Sequence, residues 1–389
     1  MDFAETVEDQ ALRKTVAEIA GRFGGAYYAA RAQAREPCTE LWQALGEAGF
    51  IGVNLPEEYG GGGGGLAQLA IVCEETAAQG CPLTLLLVSS GVSAEVLARY
   101  GSPQQKQRWL PGIAAGTSKM VFAITEPDAG SNTHKLSTTA TRDGDGGDGD
   151  GWVLRGTKYY ISGVDEADAI LVVARTGVDE QTGHGRLSLF VVPTDAPGLV
   201  ARPLPVDVML PERQFTLHFD DVRLGADAIV GAEGDGLSQV FHGLNPERIT
   251  GAASGVGVAR YALARAAEYA RTRTVWDEPI GSHQGVSHPL AKAAIETELA
   301  ALMTRKAAWQ HDHGMSAGEA ANMAKYAAAE AAIAAVDQAI QTHGGNGVST
   351  EYGLIPLWGL ARLLRIAPVN REMVLNYVAQ HTLGLPRSY

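Results

Sequence analysis

Positive charge and cysteine are both scarce in this chain. Its 389 residues carry 31 Lys and Arg against 44 Asp and Glu, a formal net charge of −13. Nucleic-acid and anionic-membrane surfaces need clustered Lys and Arg, so neither is expected as a partner; a local basic pocket for a phosphate-bearing ligand stays open. Three cysteines, Cys38, Cys73 and Cys81, are too few and too irregularly spaced for a disulfide framework or a zinc site, and a reducing cytoplasm is the expected setting. The opening MDFAETVEDQ has no basic stretch and no apolar core, so no secretory signal is read there. The most apolar run, residues 83–92, is interrupted by Ser89, Ser90 and Gly91. It is shorter than the ~20 residues a bilayer needs, which predicts a buried helix and no membrane insertion. His311-Asp-His313 sets two histidines on different sides of a helix without a third ligand, so no metal is expected. The alternating Asp and Gly of 143–151 lack the Glu and spacing of a calcium loop and read as a flexible hairpin loop.

What is present is an ordinary globular balance, 46% hydrophobic and 19% charged, in a chain long enough for two or three domains. Leu12, Val16, Ile19 and Phe23 recur at helical spacing, and Leu41, Leu45 and Ala48 continue the pattern up to Gly49. A further helix is predicted from Leu66 towards Ala78, ended by Gly80. Near Lys119 the period changes. Segments 120–124, 152–154, 169–173, 187–192 and 215–219 are short, β-rich and separated by Gly, Pro and Asp clusters. No helix-length pattern lies between them, which predicts an antiparallel barrel or sandwich. From Arg248 long helices return, the first with a stripe of small residues from Ile249 through Ala252, Ala259 and Ala266 to Ala270. A second is predicted over 290–311 and a third from a capping box at Ser316 and Glu319. The predicted fold class is α+β multidomain: an N-terminal helical domain over 1–118, a middle β-domain over 119–228 and a C-terminal four-helix-bundle domain over 229–389.

Five segments carry candidate chemistry. In the run from Phe122 to Asn132 a strand exits into a turn tightened by Pro127 and Gly130, with hydroxyls on Thr125 and Ser131. Such a loop can hydrogen-bond a flat heteroaromatic ring or a phosphate, or be an ordinary strand exit. In 156–163, period two puts Tyr160 and Ser162 on one strand face where a ring could stack, though a Tyr-rich strand is more often core or rim. In Leu244-Asn-Pro-Glu-Arg248, Pro246 suits a helix's first turn and places Glu247 just inside it, where the helix dipole favours a carboxylate. Arg273 to Ile280, with His283 and Gln284, forms the fourth; Gln341 to Gly347, with Glu351, forms the fifth. Gly-Gly-Asn-Gly after a long helix can be a cap and turn, or can let the backbone approach a pyrophosphate that Arg273 would pair with.

Together and in this order, these segments resemble the acyl-CoA dehydrogenase family over nearly the whole chain. The resemblance is carried by Thr-Glu-Pro-x-Ala-Gly-Ser, Gly-x-Lys-x-Tyr-Ile-Ser-Gly, Arg-x-x-aromatic with Pro-Ile and Gln, and Gly-Gly-Asn-Gly. It implies an oxidoreductase that holds FAD in a cleft between helical, β and helical-bundle domains. Phe122, Ile124, Thr125, Gly130 and Ser131 match the loop at the flavin ring, with Ser131 also beside the substrate, and Tyr160 and Ser162 match the strand lying against it. Arg273, Gln284, Gln341, Gly344 and Gly345 match positions that hold the adenosine diphosphate half, typically across a subunit interface; Asn370 matches a further cofactor contact. Asn245 and Arg248 fall at substrate contacts. The resemblance also implies a homo-oligomer (a tetramer built of two dimers), an acyl-CoA or acyl-carrier-protein substrate, and an electron-transfer flavoprotein or similar acceptor.

Two departures qualify the match. Many members carry a catalytic Glu followed by Gly-Thr-Ser where this chain has Pro368, within Arg365-Ile-Ala-Pro-Val-Asn-Arg-Glu372. A branch resembling the isovaleryl and long-chain enzymes places the base before the Arg of the earlier helix, which here is Glu247; Glu372 and Glu351 are the reserve candidates. Proline also removes a backbone N–H that would polarise the thioester carbonyl, so a neighbour such as Val369 takes that place or the hole is weaker. The second departure is Trp276-Asp277 in place of Phe-Gly, and Asp277 is expected to point outward. The rival chemistries on this scaffold are a flavin oxidase or monooxygenase and a silent acyl-thioester binder. A nicotinamide site at Gly60–Gly65 is rejected, because six glycines satisfy almost any glycine pattern and Glu57 and Glu58 would face the pyrophosphate.

Overall fold

The computed structural model describes residues 5–144 and 151–387, so the centre of the Asp/Gly hairpin loop lies outside the described residues. The first part is helical: α1 (Val7–Gly21), α2 (Gly24–Ala34), α3 (Thr39–Glu47), α4 (Leu66–Ala78), α5 (Ala94–Tyr100) and α6 (Pro103–Ala114). The side chain of Thr6 accepts from the Asp9 N–H and fixes the start of α1, whose Val16 and Ile19 are buried. Gly49 ends the α3 region in the left-handed region, φ 77°, where a side chain would be strained. Residues 86–93 are helical but wound as a π-type turn that runs straight into α5. Such widened turns are rare and occur frequently at functional sites.

The six glycines fold back on the preceding turn, with the N–H groups of Gly62, Gly63 and Gly64 donating to the carbonyls of Gly52, Leu55 and Val53. The helix N-terminus that follows is already filled. Asp312 accepts from the Leu66 and Ala67 N–H groups at 2.8 and 2.9 Å. This gives Asp312, set between the two histidines excluded as a metal site, a capping role at a helix far from it along the chain.

The middle part is one eight-stranded sheet of β1 (Met120–Ala123), β2 (Thr139–Asp143), β3 (Gly151–Ser162), β4 (Ala169–Val178), β5 (Gly185–Pro193), β6 (Leu199–Leu204), β7 (Gln214–Leu224) and β8 (Ile229–Val230). The order is β6-β7-β3-β2-β4-β5-β8, with β1 on β4. The pairings are antiparallel except β1 on β4 and a single parallel bridge, Thr139 to Arg175. A purely antiparallel reading missed β1, because the chain traverses β2 and β3 before β4, which is long enough for a parallel return. Trp152, Leu154, Ile170, Val172, Phe190, Phe215 and Leu217 join the same core as Leu41, Leu45 and Leu86.

The last part holds α7 (Gly236–Thr272), a hairpin of β9 (Thr274–Val275) and β10 (Glu278–Pro279), then α8 (Gln284–Asp312), α9 (Gly318–His343), α10 (Leu354–Leu363) and α11 (Arg371–Tyr377). The small-residue stripe does what its composition dictates. Ala252, Ala262 and Ala266 of α7 and Ala328, Ala332 and Val336 of α9 are all buried in clusters the two helices share, and small side chains let the axes approach. Two expectations fail here. The helix containing Glu247 begins at Gly236, not near Arg248, and α9 opens after Ala317 without a side-chain cap. Among the described residues no helix is long and apolar enough to cross a membrane, and Cys38, Cys73 and Cys81 are buried and unpaired.

Charge joins the N-terminal helices to the bundle. Glu74 and Glu75, adjacent on α4, are 5% and 2% exposed. Arg13 of α1 reaches both, at 3.0 Å for Glu74, and Arg260 of α7 reaches them at 2.6 and 2.5 Å. Beside this network lies a cavity of about 700 Å³, lined by Arg13, Glu74, Arg260 and Arg305. Removing one cation leaves two adjacent buried carboxylates short of charge. Arg13→Met should therefore lower the unfolding free energy by about 3 kcal/mol in a urea titration; a loss well under 1 kcal/mol would mean that the four charges are not coupled.

Candidate active site

The loop after β1 is held from beneath. Glu126 exchanges backbone hydrogen bonds with Ala129 around Pro127, donating at 3.0 Å and accepting at 3.2 Å. Its carboxylate is buried, accepts from the Ser137 N–H, the Ser137 hydroxyl and the Thr138 N–H, and pairs with Lys158 of β3 at 2.9 Å. Lys158 also donates to the Ile124 carbonyl at 2.9 Å, and the Tyr159 N–H donates to the Thr125 carbonyl at 2.8 Å. Burial alone would raise the Glu126 pKa, but Lys158 and Ser137 overrule it and hold it down at about 2. Burial pulls Lys158 down to about 8, with Glu126 opposing. Both partners therefore stay charged at neutral pH. The anchored loop presents Pro127, Asp128, Gly130 and Ser131 to solvent while Phe122, Ile124 and Thr125 stay half-buried.

On β3 the simple alternation is interrupted. Tyr160 takes a left-handed φ of 59°, and the pairing with β7 shifts between Lys158 and Ile161. Lys158 and Ile161 point into the core, while Tyr160 is 54% exposed and Ser162 is half-buried, exchanging a hydrogen bond with Gln214. Both candidates thus stand outside the core, although a conformational irregularity and not period two puts them there.

Glu247 is not at a helix mouth. Pro246 sits inside α7, eleven positions into a helix that Gly236 opens, so the dipole argument for this carboxylate is overturned. Its environment is set by packing. A Cβ on Gly251, one turn along, would lie 3.6 Å from Leu87 and 3.9 Å from Pro368, so α7, the π-type turn and the Pro368 segment converge beside Glu247. The residue is half-buried, and burial, the largest cause, pushes its pKa up to about 7 against Arg248 and Lys325. Arg248 donates to the Asn245 side-chain oxygen at 2.9 Å, which joins the two expected substrate contacts, while its Nε has no hydrogen-bond partner. The Asn370 side-chain amide donates to the Ser131 hydroxyl at 2.8 Å, so the bundle and the β1 loop meet at two predicted positions. The reserve candidates Glu372 and Glu351 are both exposed.

Arg273, Gln284, Gln341, Gly344 and Gly345 are exposed and lie elsewhere, at the far end of α7. Ile280 donates to the Arg273 carbonyl, and Asn346 bonds Tyr269, which stacks on His343, so hairpin and glycine turn share this end. At 1.5 Å per residue, Thr272 at the end of α7 is about 38 Å from Glu247. The structure brings the two groups of predicted residues together within themselves and not with each other. Asp277 is exposed, with φ 67° following 53° at Trp276, as a tight hairpin turn demands.

Three residues were missed. Glu126 and Lys158 lie inside the motifs that carry the resemblance and have no role assigned there; their opposite charges on consecutive motifs are the available signal. Lys325 is 2% exposed on α9. It falls at the buried phase of Ala321, Ala324, Ala328 and Ala332, where a lysine needs a reason. For the loop anchor, Lys158→Met should cost about 3 kcal/mol in chemical denaturation, because it strands a buried carboxylate. The double change Lys158→Met with Glu126→Leu should recover much of that loss; equal losses in single and double variants would contradict a coupled pair.

The whole chain has known relatives. Family models described as acyl-CoA dehydrogenase N-terminal, middle and C-terminal domains match residues 6–117, 121–222 and 234–383. The acyl-CoA dehydrogenase FadE12 of Mycobacterium tuberculosis is 57% identical over 389 residues, covering 100% of this chain and 99% of that protein. The solved glutaryl-coenzyme A dehydrogenase–glutaryl-CoA complex superposes with a TM-score of 0.93 at 32% identity, covering 100% of this chain and 98% of that one. An FAD complex of PigA gives 0.91 at 26% identity, covering 99% and 100%. With three family models matched in order and a relative more than half identical along its full length, the chain belongs to the acyl-CoA dehydrogenase family of oxidoreductases.

Proposed function

We propose that this enzyme takes an acyl-CoA, or the same acyl arm on a carrier protein, to the trans-2-enoyl thioester, with Glu247 as the base for the α-proton. The observation that carries the reading is Glu247 itself. It is a carboxylate at an enclosed junction of α7, the π-type turn and the Pro368 segment, with its proton affinity lifted to about 7 by burial and checked by two cations. A base of that strength suits proton abstraction near neutrality.

The residues present fit FAD. The exposed Gly130–Ser131 loop, the outward Tyr160 of β3 and Asn370 bridging to Ser131 offer donors and a stacking face, with Asn370 two residues from the Pro368 that lies beside the Glu247 turn. Bound FAD supplies the acceptor for the β-hydrogen and its electron pair. The chain's own part is to hold the thioester with its α-carbon at Glu247, to receive the proton on that carboxylate as the α-carbon's electron pair forms the new double bond, and to exclude water. Arg248 balances the buried carboxylate from the same helix turn, with Asn245 fixing its direction. Reoxidation by an electron-transfer flavoprotein or similar acceptor completes the reading.

The split between the two groups of predicted residues supports a shared site. A dinucleotide cannot reach from Glu247 to Arg273 of one chain, so Arg273, Gln284 and Gln341 serve the cofactor of a second copy. Supporting self-association, α8 exposes Ile295, Leu299, Leu302 and Trp309 at helical spacing, an apolar stripe that a solvated helix would not keep. The assembly read from this is a homo-oligomer, a tetramer of two dimers. A flavin oxidase or monooxygenase is the second reading, favoured only by the absence of a glutamate at Pro368, where many members of the family resembled carry one.

Mixed anaerobically with acyl-CoAs of graded length, the holoenzyme should bleach its flavin at once. No bleaching by any acyl-CoA until an external reductant is supplied, with the colour returning when oxygen is admitted, would support the monooxygenase reading; prompt bleaching that oxygen alone reverses at once would support the oxidase. Glu247→Gln should slow flavin reduction at least about 10³-fold at unchanged FAD content. Because ionised Glu247 is the active form, the wild-type reduction rate should climb as pH rises through about 7 and level off above it. Fast reduction by the Gln variant would remove Glu247 from the role. Sharing of the site has its own test: mixed oligomers of Glu247→Gln and Arg273→Ala chains should recover activity that neither parent shows, and recovery should fail if each chain holds its cofactor alone.

A further inference from the structure

Resting on that reading, we infer that Lys325 is a positioning residue for the proton-abstraction site, fixing the segment that carries Pro368 against α7 and setting the charge around Glu247. Lys325 projects from the middle of α9 and is 2% exposed. Its Nζ donates to the backbone carbonyl of Val369, one residue after Pro368. A buried ammonium directed at a main-chain carbonyl, with no carboxylate in hydrogen-bond contact among the described residues, is costly to keep. That cost needs a compensating function.

Two consequences follow from the geometry. First, a peptide group is planar, so fixing the Val369 carbonyl towards α9 turns the Asn370 N–H away from α9. Asn370 is held from its other side by Ser131 at 2.8 Å and caps α11 by accepting from the Met373 N–H. The 368–370 stretch is therefore clamped between α9 and the β1 loop. Pro368 itself has no N–H, so the orientation of the two peptide groups after it decides which donors face the cleft.

Second, Lys325 is one of two cations that act on Glu247, the other being Arg248 on the same turn of α7. Facing Lys325 are Glu247 and Arg248 of α7, Glu330 of its own helix and Glu372 of α11. Glu330 is engaged by Arg365 at 2.5 Å and Arg371 at 3.6 Å. Glu372 is exposed. The charge of Lys325 is thus left to work on Glu247 more than its neighbours suggest. Burial pulls Lys325 itself down to about 8, so it stays largely protonated through the range in which Glu247 titrates.

The test is the pH dependence of anaerobic flavin reduction in holoenzyme, with whichever of butyryl-, hexanoyl- and dodecanoyl-CoA reduces the wild type fastest. Lys325→Met keeps length and apolar packing and removes the charge and the donor. With one cation gone the ionised form of Glu247 is less favoured, so its acid limb should move to higher pH by about one unit. The plateau rate should fall with little change in the acyl-CoA concentration giving half-maximal rate, because the donor geometry matters most in the transition state. A limb and plateau equal to wild type, with FAD retained, overturn the inference while leaving Glu247 in place. Fast reduction by Glu247→Gln overturns the underlying reading instead. Should Lys325→Met fail to fold, Lys325→Arg, which keeps a charge but not its placement, should show a smaller shift of the same sign. An unmoved limb in that variant, or loss of fold in both, makes Lys325 a structural residue and ends the proposal.

Discussion

Taking a carboxylate out of water costs several kcal/mol unless a cation comes with it, and three sites of this molecule are built around that constraint. Glu126 and Lys158 satisfy it where the β1 loop meets β3, and by doing so fix the loop that carries Thr125 and Ser131. Glu74 and Glu75 satisfy it with Arg13 and Arg260, tying α1 and α4 to α7. Glu247 satisfies it only in part. Its neighbours are cations within electrostatic reach, but no salt bridge closes on it among the described residues, and its proton affinity rises accordingly. Of these three sites the two fully paired ones are scaffold, and the partly paired one keeps the basicity that the proposed proton abstraction uses. Glu95 and Glu212 are raised by burial to the same range, so the position of Glu247 beside the Pro368 segment, and not its proton affinity alone, sets it apart.

Much of this architecture was legible in the sequence because periodicity reports burial. Val16 and Ile19, Leu41 and Leu45, and Ala252, Ala259 and Ala266 are where a helix facing a core must place them, and each is buried. The strands at 120–123, 169–178, 185–193 and 214–224 followed from β-rich runs between turn residues. What periodicity cannot report is pairing between distant segments. The parallel contact of β1 with β4, the cap that Asp312 places on α4, and the hold of Lys325 on Val369 join residues tens to hundreds of positions apart. Nothing in local spacing announces them.

The misreading of Glu247 has a definite physical origin. Proline favours the first turn of a helix because the missing N–H is unneeded there, so Pro246 looked like a beginning. In α7 it lies inside, after ten residues already helical, where it gives up a helix hydrogen bond and crowds the carbonyl one turn back. The consequence for Glu247 is a change of cause and not of outcome. A helix terminus would have stabilised the anion and lowered its affinity for a proton. Burial inside the run raises it, and a general base for a weakly acidic carbon needs the higher value.

On the proposed reading, with Pro368 where the resemblance implies a glutamate and the base on α7, each element takes a different task. A base on a connecting segment depends on that segment's own order. A base on α7 inherits the rigidity of a helix of 37 residues, packed on α4 and α9 along its length. The 366–370 stretch is then relieved of proton transfer and becomes a wall, where proline's fixed φ is an asset and its missing N–H is the one defect. A wall still has to be aimed. The clamp formed by Lys325 on one side and Ser131 on the other supplies that aim from two separate parts of the fold, so the cleft is shaped only when bundle and sheet are both in place. Assembly of the domains and readiness of the site are, on this account, one event.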